Sequence, residues 1–393
     1  MKVLQLCTKP PYPPVDGGTL AMNSVTQGLT AAGHEVTVLT VCSDKHPVIA
    51  DDGDGIRMES VYIDLRPNVM DATVAMLCGE SYHVRRYRSH DFEAKLTELL
   101  KNNDYDIVHV ESIFLSDYVP VIRRHTKAPV VLRAHNVEHL IWQRAAKGCR
   151  NPLKRWYFKH LALTLKVYEL EHVNHYDAVI CITRNDAEYF VKNGCRKKVF
   201  DLPFGINPEG LENVPVEENS LFHIGSMDWI PNQEGVKWLV EEIWPAIHSA
   251  VPEAKLYLAG RKMPESLMNA AIDGVTVVGE VSDAMYFIGS KQINIVPLLS
   301  GSGIRVKIIE AMSAGKTVIS TTIGAEGILC TDGVDILLAD TPEQFATHVK
   351  RCIDDKDFCQ SIGRNAYNLI AEKYNNKTLT SRLTDIYGKL IEK

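Results

Sequence analysis

The segment SGSGIRVKIIEAMSAGK, residues 300–316, concentrates groups that could do chemistry. Gly301, Ser302, Gly303 and Ile304 form a loop of mostly small residues whose backbone amides can face a ligand. Two cations follow, Arg305 and Lys307. Arginine offers a planar fork for phosphate and lysine a compact charge. Glu310 then stands among Ile308, Ile309, Ala311 and Met312 in a helical pattern ended by Gly315. A buried carboxylate without a partner is costly, so Glu310 is expected to reach a cation or a polar ligand. The competing reading of Arg305 and Lys307 is a solvated surface pair.

Three further segments carry polar residues just after apolar runs. In TKPPYPPVDGGT, Gly17 and Gly18 precede a helix expected near Thr19, where backbone N–H groups favour an anion. The prolines make this loop longer and stiffer than a dinucleotide fingerprint. In LRAHNVEH, His135, Asn136, Glu138 and His139 gather at a strand end. His135 and His139 are four apart, but HNVEH lacks the HExxH order and offers no third ligand, so no metal is expected. The plainer alternative is a helix capped by Asn136 with a histidine bonded nearby. In GSMDWIPNQEG, Ser226 follows a strand and Asn232 is placed as the cap of the next helix.

The elements that must position these groups come in two series. KVLQLCT, EVTVLTV, IVHVE, PVVLRAH and AVICIT read as buried strands separated by amphipathic helical segments. SLFHIGS, KLYLAG, VTVVGE, INIVPL and KTVIST repeat the pattern. Strand, helix, strand implies parallel pairing in a doubly wound sheet, with ligands outside the carboxyl ends of the strands. The Pro-, Gly- and Glu-rich stretch 202–219 reads as the linker. A chain of 393 residues, 45% hydrophobic and 23% charged, suits two such domains. A net charge of −6 gives no overall reason to expect nucleic-acid binding. Trp229, Trp238 and Trp244 have no interleaved basic patch, so they read as core or wall, not a stacking platform. Nine scattered cysteines without CxxC spacing suit reduced thiols in a cytosol. The short N-terminal apolar run is too short for a signal peptide, and no apolar run of membrane-spanning length occurs.

Taken in order, these pieces resemble the GT-B retaining glycosyltransferases of family 4 (glycosyl transferases group 1). The resemblance runs through P-x-x-G-G with Gly17 and Gly18, AGHEVTVLT, RAHNVEH, PFGIN, GSMDWIPN, LAG and, most specifically, KIIEAMSAGKTVIST. It implies an α/β GT-B fold: two Rossmann-like doubly wound parallel-sheet domains facing across a cleft. The N-terminal, acceptor-side domain would span 1–204, joined by a returning C-terminal helix in 376–393. The nucleotide-sugar domain would span 205–375. It also implies metal-independent transfer from a nucleotide-diphosphate-sugar to a glycan, lipid-linked or other acceptor with retention, and no cofactor beyond the donor. Arg305 and Lys307 would hold the leaving diphosphate, Glu310 the ribose hydroxyls and His135 the donor sugar. Gly17, Gly18, Ser226, Asn232, Gly301, Ser302, Gly303 and Ile304 would line the donor. The family's first glutamate, eight positions before Glu310, is here Ser302, and the usual arginine and lysine after the first strand of the second domain are absent from GSMDWIPN.

Two alternatives stay open: a non-catalytic nucleotide-sugar-binding protein on the same fold, or a GT-B nucleotide-sugar epimerase. An epimerase needs carboxylates poised for proton abstraction, which the sequence does not show. Residues 147–166 mix Lys147, Arg150, Lys154, Arg155 and Lys159 with Trp156, Tyr157 and Phe158. That composition suits peripheral contact with an anionic membrane, giving a cytoplasmic protein at the inner face. The alternative is an ordinary helix with its aromatics turned inward.

Overall fold

The computed structural model describes residues 1–14, 16–48, 56–206, 214–301 and 303–392. They fall into two compact units, Met1–Gly205 with Asn376–Lys393, and Ile206–Asn375.

The first unit is built on seven parallel strands: β1 (Lys2–Cys7), β2 (Glu35–Cys42), β3 (Arg57–Tyr62), β4 (Ile107–Val110), β5 (Val130–Ala134), β6 (Ala178–Cys181) and β7 (Lys198–Asp201). Their order in the sheet is β3-β2-β1-β4-β5-β6-β7, the doubly wound arrangement. Alternate residues serve opposite faces. Leu4, Leu6, Val108, Val110, Val130 and Leu132 join one core. Val3, Cys7, Ile107 and Val131 join the other, which also contains Met22, Val25 and Leu29 of the helix Gly17–Ala31. The final helix, Asn376–Ile391, supplies Leu379, Leu383, Ile386 and Tyr387 to that same face. The last residues of the chain therefore complete the core of the first unit.

The second unit carries β8 (Ser220–Ile224), β9 (Lys255–Ala259), β10 (Val275–Gly279), β11 (Ile293–Val296), β12 (Thr317–Ser320) and β13 (Leu337–Leu338). Their order is β10-β9-β8-β11-β12-β13, again all parallel. Leu221, Leu256, Leu258, Ile293, Ile295 and Ile319 anchor its core.

Three strands have no counterpart in the sequence reading: β3, β7 and β13. All lie at sheet edges. β3 and β7 expose or half-expose every residue, so they lack the apolar signal of a central strand. β13 has only two residues.

Candidate active site

The charged segment of the second unit sits between β11 and β12. Gly301 and Gly303 adopt φ of 133° and 76°, where a side chain would be strained. Ser302 lies outside the described residues. Ile304 is half-buried, and the helix Val306–Ser313 begins just beyond it with no side chain capping its N-terminus. Lys307 projects to the first turns after β8. Its Nζ donates to Asn232 Oδ1 at 2.7 Å and to His223 Nε2 at 3.3 Å. His223 is fully buried, and its other nitrogen lies 2.9 Å from the Ile295 carbonyl oxygen. Nδ1 therefore carries the hydrogen and Nε2 offers a lone pair to the lysine. Burial and Lys307 hold His223 well below its usual range, which keeps it neutral.

Burial, and then Arg305, pull Lys307 down to about 7, with Glu310 opposing. Burial pushes the Glu310 carboxyl up against the pull of Lys307. No hydrogen bond to the Glu310 carboxylate occurs among the described residues. Lys307 and Glu310 are three apart on one helix and so share a face. Gly225 makes room for this arrangement: a Cβ there would stand 2.5 Å from Lys307 Nζ and 2.7 Å from Asn232 Nδ2.

Arg305 behaves differently from Lys307. It is buried, its Nη1 donates to the Gly303 carbonyl, and its Nη2 donates to Ile323 O at 3.4 Å. Its guanidinium lies 5.9 Å from the Trp229 ring centre. The arginine thus shapes the loop in which it stands. Asn232 is not the helix cap expected from its sequence. The helix runs Ile230–Trp238, Trp229 precedes it, and Asn232 is buried inside its first turn. Its amide donates to Ser226 O at 2.8 Å while its oxygen receives Lys307. Pro231 explains the earlier start, since proline suits the first turn of a helix. Ser226 Oγ donates to Asp228 Oδ1 at 2.7 Å.

In the first unit, the helix after β1 starts at Gly17, two residues before the expected Thr19. Asp16 is its cap, accepting from Thr19 N at 2.9 Å. Lys9 Nζ donates to both oxygens of Asp16, at 2.7 and 2.6 Å. The helix terminus beside Gly17 and Gly18 already holds an internal carboxylate and its counter-ion.

His135 follows β5, and its Nε2 donates to Glu111 Oε2 at 2.8 Å. Glu111 is 1% exposed and anchors a buried polar cluster on the sheet face carrying the final helix. Gln5 Nε2 donates to Glu111 Oε1 at 2.7 Å, and Thr26 Oγ1 donates to Gln5 Oε1 at 2.6 Å. His109 Nε2 is 3.2 Å from Glu111 Oε1, close but off the direction of a hydrogen bond. That proximity to a carboxylate places the hydrogen of His109 on Nε2. Its Nδ1 then accepts from the phenol of Tyr387, 2.5 Å away. Burial alone would push the Glu111 carboxyl up. His109 and His135 outweigh it, and the carboxyl is held well below the usual range. Arg133, fully buried, donates from Nη2 to Pro203 O at 3.1 Å, while its Nε and Nη1 have no hydrogen-bond partner among the described residues. Burial lowers Arg133, and the charge of Glu111 opposes that shift.

His139 is not beside His135 in function. Its Nδ1 lies 2.5 Å from Glu169 Oε2 and its Nε2 2.8 Å from the Tyr189 hydroxyl. Glu169 also accepts from the backbone N–H of Glu138 and His139, at 3.0 and 3.3 Å. That carboxylate, not Asn136, caps the helix Glu138–Gly148. Burial and Glu169 push Glu138 up to about 8, so it stays protonated at neutral pH.

Sequence comparison agrees with this architecture. The family model described as Glycosyltransferase Family 4 matches residues 15–209, and that described as Glycosyl transferases group 1 matches residues 218–355. An uncharacterised 44.6 kDa protein in the cps region of Klebsiella pneumoniae is 23% identical over 97% of this chain and 98% of its own length. An uncharacterised glycosyltransferase of Methanocaldococcus jannaschii is 21% identical over 78% of this chain and 83% of its own. Among solved structures, Anabaena HepE in complex with UDP superposes with a TM-score of 0.70 at 14% identity, covering 99% of this chain and 100% of its own. The chain is a GT-B glycosyltransferase of the family 4 type.

Within this glycosyltransferase, sequence reasoning missed His223, Gln5, His109, Glu111, Arg133 and Tyr387. Five of these had a signal. In KVLQLC, LFHIG, IVHVES and VVLRAH, Gln5, His223, His109, Glu111 and Arg133 interrupt apolar strands. Tyr387 had none, because its partner lies 278 residues away.

Proposed function

We propose that this glycosyltransferase moves a sugar from a nucleoside-diphosphate donor to a hydroxyl of a glycan or lipid-linked acceptor, with retention and without a metal ion. The pairing of Lys307 with Glu310 carries the reading. A nucleotide presents a diphosphate and, one methylene further, the ribose hydroxyls. A cation and an unoccupied carboxylate on one helix face match that order. The solved Anabaena neighbour is a complex with UDP, and a further structure of it is a complex with UDP-glucose.

Departure of the diphosphate develops negative charge, and a desolvated Lys307 beside an uncapped helix N-terminus would stabilise it. The bond from the anomeric carbon to the phosphate oxygen breaks as the acceptor oxygen bonds on the same face. The acceptor proton passes to the departing phosphate oxygen. In this reading Arg305 fixes the loop of Gly301 and Gly303 around the phosphates. His135, with Nε2 committed to Glu111, offers Nδ1 to a sugar hydroxyl.

A thermal-shift panel of UDP-, GDP- and ADP-sugars tests the donor. One class should raise the melting midpoint, and a ligand at a hundred times its Kd adds about 2.7 kcal/mol. Glu310→Ala should abolish that shift. If no nucleotide sugar stabilises the protein, the donor reading fails. Hydrolysis of the stabilising donor then separates a transferase from a binding protein.

A further inference from the structure

Strand β8 buries Leu221, Phe222 and Ile224, and His223 stands fully buried among them. An apolar side chain would suit that place, because a buried imidazole loses its hydration and must recover it in hydrogen bonds. The bonds that His223 makes have a definite direction. Nδ1 donates to Ile295 O of the paired strand β11 at 2.9 Å, which leaves Nε2 as an acceptor. Lys307 Nζ meets that lone pair at 3.3 Å.

An ammonium has three N–H bonds. Lys307 gives one to Asn232 Oδ1 at 2.7 Å and one to His223, and no third partner meets it among the described residues. Its main chain is fixed as well, since Asn294 Nδ2 of β11 donates to Lys307 O at 3.3 Å. With the backbone held and two N–H bonds committed, the tetrahedral ammonium presents its last hydrogen in one direction. A lysine without these partners would move on its flexible four-carbon stem.

The charges around the ammonium explain why a neutral acceptor stands there. Burial, then Arg305, draw Lys307 down to about 7, Glu310 opposes, and no further charge among the described residues acts on it. β11 and the helix Ile230–Trp238 face it with the neutral amides of Asn294 and Asn232. A hydrogen bond accepted from the charged form favours that form. A carboxylate in the place of His223 would do the same, but its charge would repel a diphosphate. The imidazole lone pair favours the ammonium and leaves the site positive.

We propose that His223 is a positioning residue for the transfer: its lone pair turns the free N–H of Lys307 towards the leaving diphosphate and favours the ammonium without adding negative charge. The proposal rests on the donor reading and adds to it the residue that aims the lysine.

The test is calorimetry on the full chain with UDP, GDP and ADP as probes, at pH 6, 7 and 8. His223→Phe keeps a buried ring and deletes the lone pair, whereas His223→Gln retains an acceptor oxygen. Without the acceptor the lysine falls further, so fewer molecules carry the ammonium in alkali, while in acid nearly all do. Against the wild type at the same pH, His223→Phe should bind the preferred nucleoside diphosphate about tenfold more weakly at pH 8 but within about threefold at pH 6, the worth of one hydrogen bond to a charged group. His223→Gln should stay within about threefold throughout. Unchanged affinity in His223→Phe, a loss independent of pH, or equal losses in both variants shows a packing role at most and overturns the proposal. Nitrogen-15 NMR of the wild-type imidazoles needs no histidine variant to fold. At pH 7 one hydrogen-free Nε2 resonance should shift in Lys307→Met; if none does, the proposal falls. If the wild type binds no nucleoside diphosphate, the donor reading itself fails. If it binds one and His223→Phe matches it, only the role of His223 fails.

Discussion

Glu111→Gln keeps the shape of a buried side chain and deletes its charge. The carboxylate accepts from Gln5 at 2.7 Å and from His135 at 2.8 Å. An amide has one acceptor oxygen, so one of those donors would face an NH2 group. Losing one charge-assisted bond costs about 1.5–3 kcal/mol. Arg133 adds a second cost, because its buried guanidinium loses the opposing charge of Glu111. Together these give about 4 kcal/mol, within the range for removing one member of a buried charge set. For a unit of this size that lowers the unfolding midpoint by about 8–16 °C. The assay is thermal and urea unfolding at neutral pH of the wild type, Glu111→Gln, Arg133→Met and the double variant. The double variant removes both charges and should recover at least half of the loss. Because the carboxyl is depressed in the folded state, its contribution is complete above its ordinary value of 4.5 and fades as pH falls below it. The gap between wild type and Glu111→Gln should therefore narrow in acid. A loss under about 1 kcal/mol, a gap that widens in acid, or strictly additive losses in the double variant would refute the charge-set account.

Lys307, drawn down to about 7, should take up a proton when a diphosphate arrives, since an adjacent anion raises its pKa. Donor affinity should then fall as pH rises above 7. Calorimetry in buffers of different ionisation enthalpy should show the uptake at pH 8 and lose it in Lys307→Met; no uptake in the wild type would contradict it. Gly225→Ala places a methyl 2.5 Å from Lys307 Nζ and 2.7 Å from Asn232 Nδ2. Both neighbours are side-chain ends that can move, so unfolding should shift little while donor affinity drops about tenfold, the equivalent of about 1.4 kcal/mol. An unaltered donor affinity would show that Lys307 need not stand where it does.

The fold was legible because its central strands are short, apolar and regularly spaced by helical patterns. Edge strands such as RMESVY and KVFD were not, since solvent on one side removes the apolar signal. The charged segment advertised Lys307 and Glu310 by chemistry alone. The backbone engagement of Arg305 needed coordinates, because a guanidinium turning back on Gly303 and Ile323 leaves no mark on residue order. The cluster around Glu111 was half-visible. Polar residues at alternate positions of buried strands announce a shared face, but only sheet order shows that β1, β4 and β5 bring Gln5, His109 and Arg133 together.

The returning helix has a consequence for how the protein is made. Tyr387 meets His109 only after the whole of Ile206–Asn375 has left the ribosome. At about 5–20 residues per second, that delay is on the order of ten to thirty seconds. During it the nascent first unit exposes Val3 and Ile107 of one sheet face and Val25 and Leu29 of the helix packed there, with His109, Glu111 and Arg133 open to water beside them. Water can solvate those polar groups while they wait, which a purely apolar face could not exploit. The polar cluster that orients His135 thus also makes the unfinished face less sticky until its own helix arrives.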